Sequence, residues 1–345
     1  MDILKKVRQY GIAASFTVAC RRAKNSVVMP FYRRKHKHAP IYRNPSEQEL
    51  EQIEKELRSS GIPVRSLTIS PSEFAEFQKH LPFPSGYFSR DATLRNEKLL
   101  EHFIAYKLGN LARSIPSNMA AGDRKGFFYL DVAGCGSPWV QVLNEKGVNA
   151  TCIDLKVSPI HRHLNCYQKM DATHTAFDAE SVDVVSLQCA YEMFIGNQDT
   201  LFINECARIL KPGGKAIIVP LYMHTHYCGY SSPRYYGKGF ADPGAFEYVR
   251  MDSSEIPFSR KYDVGRLGER VISRAEQQGL ACVIYVVQNK ETLGEGVYCH
   301  FVLEMTKKPF EQPTAIVVPS PELARIIAKP NGRPVPRNSL ESSNE

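Results

Sequence analysis

The sequence predicts an α/β protein with a doubly wound, mainly parallel sheet, and the segment from 127 to 221 carries most of this prediction. Short apolar runs, typical of strands that are covered on both faces, alternate there with segments of helical pattern. The first run, residues 127–132, leads directly into the small residues Ala133, Gly134 and Gly136. A strand, a small-residue loop and the start of a helix form the first half of a nucleotide-type pocket.

The loop and the next strand predict where a nucleotide would lie. Ser137 can cap the following helix, with Pro138 as its first residue, and Gly147 ends it. The second strand, residues 149–153, ends in Asp154, about 20 residues past the glycine loop, where an acidic side chain can accept hydrogen bonds from ribose hydroxyls. This spacing fits NAD and S-adenosylmethionine equally well.

Further strands follow in the order expected for such a sheet. The third, near 164–170, ends in Asp171 and Ala172, where a carboxylate could meet an adenine amino group. The fourth covers 182–187, a helix covers 199–210, and the fifth strand covers 216–221. After a helix at 264–278, two last strands are predicted near 281–287 and 298–305.

The ordered set of motifs resembles the class I S-adenosylmethionine-dependent methyltransferases over residues 127–306. The segments that carry the resemblance are 130–136 (LDVAGCG), 153–154 (ID), 170–172 (MDA), 182–187 (VDVVSL) and 208–215 (RILKPGGK). The resemblance implies a seven-stranded Rossmann-like sheet of strand order 3-2-1-4-5-7-6, an N-terminal helical extension, and S-adenosyl-L-methionine as cofactor. The cofactor-binding residues that it implies are Asp131, Ala133, Gly134, Gly136, Asp154, Asp171, Ala172 and Gln188. Ala133 departs from the family pattern, which has its first glycine there.

A finer resemblance concerns the acceptor of the methyl group. Residues 186–194 (SLQCAYEMF), Asp199 and residues 220–222 (PLY) look like bacterial methyltransferases of cell-surface polysaccharide or glycolipid assembly. It implies an oxygen of a sugar or of another small molecule as acceptor, although those enzymes often have histidine in place of Gln188. Two alternatives stay open: a methyltransferase of a soluble small metabolite, and a non-catalytic methyltransferase-like binding protein. A nicotinamide dehydrogenase is disfavoured, because it gives no reason for the LKPGG segment.

Three residues are candidates for removing a proton from an acceptor hydroxyl: Glu192, just past the fourth strand, and His224 and His226, past the fifth. Each could equally be a hydrogen-bonded polar residue at the rim of the pocket. Because the activated methyl group mainly requires alignment with the acceptor, no strict catalytic signature is expected. No metal site is expected either, because the His-x-His pairs have no third ligand at a telling spacing.

Charge is concentrated at the N-terminus. Residues 1–43 contain eleven Lys or Arg and one acid, a net charge of +10, whereas the whole chain carries +8. Interleaved apolar residues predict an arm that lies on an anionic membrane surface. A solvated arm, or one that packs on the domain, is the alternative. Nucleic acid is not expected as a partner, because no RNA-binding signature accompanies the charge.

Composition places the chain in the cytoplasm, with the inner membrane face as the alternative site through the arm. Nine cysteines without a CxxC pair indicate reduced thiols, and no 18-residue apolar run or secretory signal is recognised. The oligomeric state stays open.

The predicted organisation has four parts: the arm (1–43), a helical cap (44–120), the methyltransferase domain (121–308) and a Pro-rich flexible tail (309–345). Within the domain, residues 222–262 show no regular pattern and are predicted to form a lid or acceptor loop. A cap helix is predicted over 91–111. Five residues of the cap could face a substrate, although surface positions or packing are preferred for them: Tyr87, Arg90, Arg95, Glu97 and His102.

Overall fold

The computed structural model describes residues 29–84, 87, 94–114, 126–252 and 255–309. The rest of the predicted arm and tail, and part of the cap, lie outside the described residues. The strands are β1 (Val64–Leu67), β2 (Tyr129–Val132), β3 (Ala150–Asp154), β4 (Tyr167–Lys169), β5 (Val182–Gln188), β6 (Leu210–Val219), β7 (Cys228–Ser231), β8 (Phe246–Val249), β9 (Ser259–Lys261), β10 (Leu280–Val287) and β11 (Phe301–Lys307).

The helices alternate with these strands, as an α/β fold requires. They are α1 (Glu47–Ser59), α2 (Pro71–His80), α3 (Arg95–Leu108), α4 (Trp139–Glu145), α5 (Gln198–Ile209), α6 (Val264–Leu267) and α7 (Ser273–Gln277). A π-helical turn, Gly268–Ile272, joins α6 to α7. No helix in the described part of the chain has the length and apolar character needed to cross a membrane.

The central sheet has eight strands in the order β1-β10-β11-β6-β5-β2-β3-β4. Pairing is parallel from β6 to β4 and between β1 and β10, whereas β11 is antiparallel to both of its neighbours. The predicted α/β class with a mainly parallel sheet is therefore confirmed. The predicted count of seven strands is wrong, because β1 adds an eighth strand beside β10, and the predicted order leaves this edge strand out.

Helices cover both faces of the sheet and bury one apolar cluster on each side. Side chains of α1, α5, α6 and α7 pack on one face, and those of α2, α3 and α4 pack on the other. Successive residues of β2 alternate between the clusters, since Leu130 belongs to the first and Tyr129 to the second. The helical extension thus contributes to both layers of the core.

Local sequence explains two of these helices. Ser46 and Glu49 form a capping box at the start of α1, and Ile53 and Leu57 are its buried residues, four positions apart on one face. Helix α4 begins at Trp139, one residue later than predicted, because Pro138 occupies the N-cap position. The Ser137 hydroxyl accepts a hydrogen bond from the Trp139 amide at 3.2 Å.

The part of the chain that follows β6 and precedes α6 forms a second sheet, of strand order β8-β7-β9. The expectation that residues 222–262 contain no regular element is therefore wrong. Strand β7 is buried along its whole length, and its Gly229 is required, because a Cβ there would overlap the Phe258 ring. Residues 40–42 join the edge of this sheet through hydrogen bonds to Val249.

Candidate active site

A cavity of about 270 Å³ opens where the parallel strands β2, β3, β4 and β5 end. Strand β2 lies between β3 and β5, so the order of strands reverses at this point. Open α/β sheets bind ligands outside the carboxyl ends of their strands at such a switch point. The lining residues are Val132, Ala133, Ile153, Asp154, Leu155, Met170, Asp171, Ala172, Thr173, Cys189, Ala190, Met193, Phe194 and Gln198.

Four of the eight residues implied for cofactor binding line this cavity: Ala133, Asp154, Asp171 and Ala172. Nearby amides hold both carboxylates in place. Asp154 accepts hydrogen bonds from the amide of Lys156 at 3.0 Å and from that of Cys135 at 3.4 Å. Asp171 accepts one from the Thr173 amide at 2.8 Å. The roles of these residues toward a cofactor stay predictions.

The loop after β2 takes a glycine-type conformation at an alanine. Ala133 has φ 61°, in the left-handed region that favours glycine, and its amide donates a hydrogen bond to the Ile153 carbonyl at 2.8 Å. Gly134 is required for a different reason, because a Cβ there would overlap the Asp131 carboxylate. A Cβ on Gly136 meets no atom within 4 Å. The loop thus depends on Gly134 rather than on Gly136.

Asp131 and Gln188, also implied for cofactor binding, do not line the cavity but support the loop. A buried chain of hydrogen bonds runs from the Trp139 indole N–H to the Tyr129 hydroxyl at 2.8 Å and on to Ser186 at 2.6 Å. Ser186 donates to Asp131 at 2.7 Å, and the Gln188 amide donates to the same oxygen at 3.3 Å. Burial raises the pKa of Asp131 to about 7.

Helix α3 brings three buried polar residues to the same end of the sheet: Glu97, Glu101 and His102. The Glu101 carboxylate pairs with Lys98 at 2.8 Å and accepts a hydrogen bond from the Cys189 thiol at 3.3 Å. Since Cys189 lines the cavity, α3 is part of the site, so for Glu97 and His102 the alternative of a place near the substrate deserves more weight than the preferred assignment to surface or packing. The available signal was the pair Glu97 and Glu101, four residues apart within an apolar stripe.

Glu97 joins α3 to the start of β11. Its Oε2 accepts hydrogen bonds from the amides of Tyr298 at 2.9 Å and Cys299 at 3.1 Å. Burial, together with the nearby negative charge of Glu101, raises the pKa of Glu97 to about 8. At neutral pH this carboxyl group is therefore mostly protonated.

Several buried polar atoms at this end of the sheet have no hydrogen-bond partner among the described residues. They are Glu97 Oε1, His102 Nδ1, Gln188 Oε1 and Glu192 Oε2. Unsatisfied buried polar atoms are uncommon in folded proteins and call for an explanation such as a bound polar group. Burial lowers the pKa of His102 to about 3, so its ring is neutral.

Of the three proposed bases, Glu192 lies nearest to the cavity. It belongs to a 3₁₀ turn, Tyr191–Met193, that directly follows β5, and its neighbour Met193 lines the cavity. Burial raises the pKa of the Glu192 carboxyl, and the charge of Lys261 acts in the opposite direction.

His224 and His226 do not line this cavity but lie on the segment that leads into β7. The His224 Nδ1 accepts a hydrogen bond from the Thr225 amide at 2.9 Å, and the His226 Nε2 lies 3.0 Å from the Tyr248 hydroxyl. Burial and the neighbouring His226 lower the pKa of His224 to about 4, so its ring is neutral.

The expectation that no third ligand accompanies a His-x-His pair is wrong. The structure brings one ligand atom from each of His224, His226 and Cys228 within 4.8 Å of the others. Because the His224 Nδ1 lone pair already accepts the Thr225 amide hydrogen, the neutral ring carries its proton on Nε2 and offers no free lone pair, so we assign no metal site to this group.

Comparison with known proteins adds to this geometry. Residues 130–218 match the model of a family described as methyltransferase domain. The match supports a class I methyltransferase that uses S-adenosylmethionine. It covers the cavity and strands β3 to β5 in full, and ends before the second sheet. A search of curated proteins gives no match.

The solved structures that align with this chain at low identity include two methyltransferases with stated substrates. The Burkholderia thailandensis 1,6-didemethyltoxoflavin-N1-methyltransferase is 12% identical, with a TM-score of 0.41 over 72% of this chain and 94% of that one. A phosphoethanolamine N-methyltransferase 2 from Haemonchus contortus is 15% identical, with a TM-score of 0.37 over 70% of this chain and 60% of that one. Likeness at this level identifies no acceptor.

Proposed function

We propose that this protein is an S-adenosylmethionine-dependent methyltransferase that transfers the methyl group to a small polar acceptor. The observation that carries the proposal is the cavity at the switch point of the sheet, which lies within the segment matching a methyltransferase domain. Ala133, Asp154 and Asp171, implied by sequence for cofactor binding, all reach this cavity.

The residues present fit this cofactor. Ala133, at φ 61°, carries only a methyl side chain where it lines the cavity, so a ligand can approach the loop backbone closely. In the proposal, Asp154 accepts hydrogen bonds from the ribose hydroxyls, and Asp171 with Ala172 holds the adenine. S-adenosylmethionine supplies a methyl group that is already activated for displacement. The protein's part is then to align the acceptor, to exclude water and to receive a proton.

The acceptor in this proposal is an oxygen of a sugar or of another small molecule. The supporting observation is the pair of buried oxygens near the cavity, Gln188 Oε1 and Glu192 Oε2, that have no hydrogen-bond partner among the described residues. Hydroxyl groups donate the hydrogen bonds that such oxygens require.

The proposed setting is the assembly of cell-surface polysaccharide, with the basic arm on an anionic membrane. Its support is the +10 charge of residues 1–43 and, in the described part, the exposed Phe31 beside Arg33 and Arg34. Deletion of residues 1–38, which spares the backbone bonds of residues 40–42 to Val249, is expected to abolish co-sedimentation with phosphatidylglycerol vesicles at low salt. Undiminished co-sedimentation would exclude this role of the arm.

Calorimetric titration with S-adenosylmethionine and S-adenosylhomocysteine tests the cofactor. Micromolar binding, about −8 kcal/mol, is expected for the unmodified protein. Asp154→Asn should weaken it at least about tenfold, because a lost hydrogen bond to a charged group is worth about 1.5–3 kcal/mol. Asp178→Asn, at an exposed position away from the cavity, is the control. No binding of either compound would refute the proposal and favour the non-catalytic alternative.

A further inference from the structure

Two buried residues of opposite charge flank the acceptor end of the site without pairing. Lys261, the last residue of β9, is 2% exposed, and Glu192 is 9% exposed. Among the described residues, no carboxylate lies within 4.0 Å of the Lys261 ammonium, and no cation lies within 4.0 Å of the Glu192 carboxylate. The Glu192 Oε2 has no hydrogen-bond partner. Buried charges are normally paired, so two such groups without an ion pair are candidates to bind a polar group.

Aromatic rings surround the Lys261 ammonium. Its Nζ lies 3.8 Å from the centre of the Tyr222 ring and 5.1 Å from that of Tyr230. Its one hydrogen bond given by the structure goes to the Ser259 hydroxyl at 3.1 Å. Burial lowers the pKa of Lys261 to about 8, whereas the charge of Glu192 raises it. A substantial fraction of this amine is therefore uncharged at physiological pH.

A short chain of contacts links Lys261 to the cavity. Cys189 lines the cavity, and its thiol lies 3.1 Å from the Tyr222 hydroxyl. The Tyr222 ring in turn contacts the Lys261 ammonium. Glu192 is the sequence neighbour of Met193, which lines the cavity as well. Each charged group is thus linked to a residue that lines the cavity, Lys261 through Tyr222 and Glu192 through the chain itself.

We propose that Glu192 and Lys261 form the acceptor subsite, in which Glu192 accepts a hydrogen bond from a hydroxyl-bearing acceptor and Lys261 takes the proton of the hydroxyl that is methylated. This inference rests on the proposed methyl transfer. The acceptor oxygen forms a bond to the methyl carbon while the carbon–sulfur bond breaks and its electron pair returns to the sulfur. The hydroxyl proton passes to the uncharged Nζ of Lys261, which becomes an ammonium group.

Lys261 suits this role better than the two histidines. The pKa of His224 is about 4, so its ring holds a received proton poorly at neutral pH, and the His226 Nε2 already contacts the Tyr248 hydroxyl at 3.0 Å. An amine with a pKa near 8 is matched to physiological pH, which favours proton transfer in the transition state. The titratable and charged groups that face it are Glu192, Cys189, Cys228, His224, Arg250, Tyr42, Tyr222 and Tyr230.

Competitive acetylation with trace acetic anhydride tests the subsite without a known acceptor and without cofactor. Only uncharged amines react, so the rate at Lys261, measured by peptide mass spectrometry, is compared with that at the exposed Lys55 between pH 7 and pH 10. An ordinary lysine has a pKa of about 10.4. The ratio of the Lys261 rate to the Lys55 rate should therefore fall at least about tenfold from pH 7.5 to pH 10.

Two variants sharpen the test. Glu192→Gln removes the charge that raises the pKa of Lys261, so the ratio at pH 7.5 should increase, whereas Glu269→Gln on the surface should leave it unchanged. No acetylation of Lys261 in the folded protein would show that small molecules cannot reach the subsite and would overturn the proposal. The proposal would also be overturned if the ratio of the Lys261 rate to the Lys55 rate did not change with pH, or if Glu192→Gln left it unchanged. Calorimetry with S-adenosylhomocysteine reports on the cofactor separately, so the two proposals can fail independently.

Discussion

Replacement of Asp199 by alanine should destabilise the protein more than the loss of any one surface ion pair. Asp199 stands in the first turn of α5 with its carboxylate wholly buried. One oxygen lies 2.7 Å from Arg270 Nη2. The other lies 3.0 Å from Arg260 Nη1 and accepts a hydrogen bond from the Tyr262 hydroxyl at 2.6 Å. This one carboxylate therefore joins α5, β9 and the π-helical turn.

The expected loss in free energy of unfolding depends on the partners that Arg260 and Arg270 retain in the variant. Removal of one partner from a buried ion pair costs about 3–5 kcal/mol, because a charge is left buried without compensation. Arg260 is fully buried but keeps Asp242 at 2.6 Å, and Arg270 is 19% exposed and can recruit water. Both features reduce the loss, so we expect Asp199→Ala to cost about 3 kcal/mol in free energy of unfolding.

Urea denaturation followed by circular dichroism measures this loss. Glu269→Ala is the matched control. It removes a carboxylate that pairs with Arg266 at 2.6 Å, but both side chains of this pair are largely exposed. An exposed pair contributes about 0–1 kcal/mol. If Asp199→Ala costs less than about 1.5 kcal/mol, or no more than the control, the buried network does not hold these elements together.

Two further predictions concern the loop and α3. Gly134→Ala should weaken S-adenosylhomocysteine binding at least about tenfold in calorimetry, because the added Cβ overlaps the Asp131 carboxylate. Gly136→Ala should leave the affinity unchanged, because a Cβ there meets no protein atom within 4 Å. Equal effects of the two substitutions would refute the packing argument. The folded protein holds a proton on Glu97 up to about pH 8, whereas the unfolded chain loses it near pH 4.5, so this group lowers stability as pH rises between those values. Glu97→Gln should therefore stabilise by about 1–3 kcal/mol more at pH 8 than at pH 5, unlike Glu291→Gln; a pH-independent effect would contradict this.

The central strands could be predicted from sequence because burial on both faces leaves a clear signal. Four of the six residues 182–187 are apolar, and this run forms most of β5. Strand β1 was missed because it is only four residues long, Val64–Leu67, and two of these residues are polar. The second sheet was missed because its strands are three or four residues long and lie among glycine and proline residues, too short for a period to show.

The acidic residues of α3 were harder to predict than the cavity itself. Ala133, Asp154 and Asp171 follow strands directly, so their place at the carboxyl edge follows from the parallel pairing. Glu97 and Glu101 precede the first core strand by some 30 residues, and only the packing of α3 against the sheet brings them to Cys189. The sequence holds only a weak signal of that packing, the two glutamates four residues apart within an apolar stripe, because charged residues on a helix usually face solvent.

Strand β9 connects the buried network to the acceptor subsite. Neighbouring residues of a strand point to opposite faces, so Arg260 enters the network with Asp199 while Lys261 enters the subsite among the tyrosine rings. The network therefore holds the strand whose end places the Lys261 amine.

Loss of Asp199 should release β9 and give Lys261 access to water. Its pKa would then rise towards that of an exposed lysine. Acetylation of the Asp199→Ala variant should consequently lose the high Lys261 rate at pH 7.5, and a rate that persists would mean that the subsite is held by other contacts.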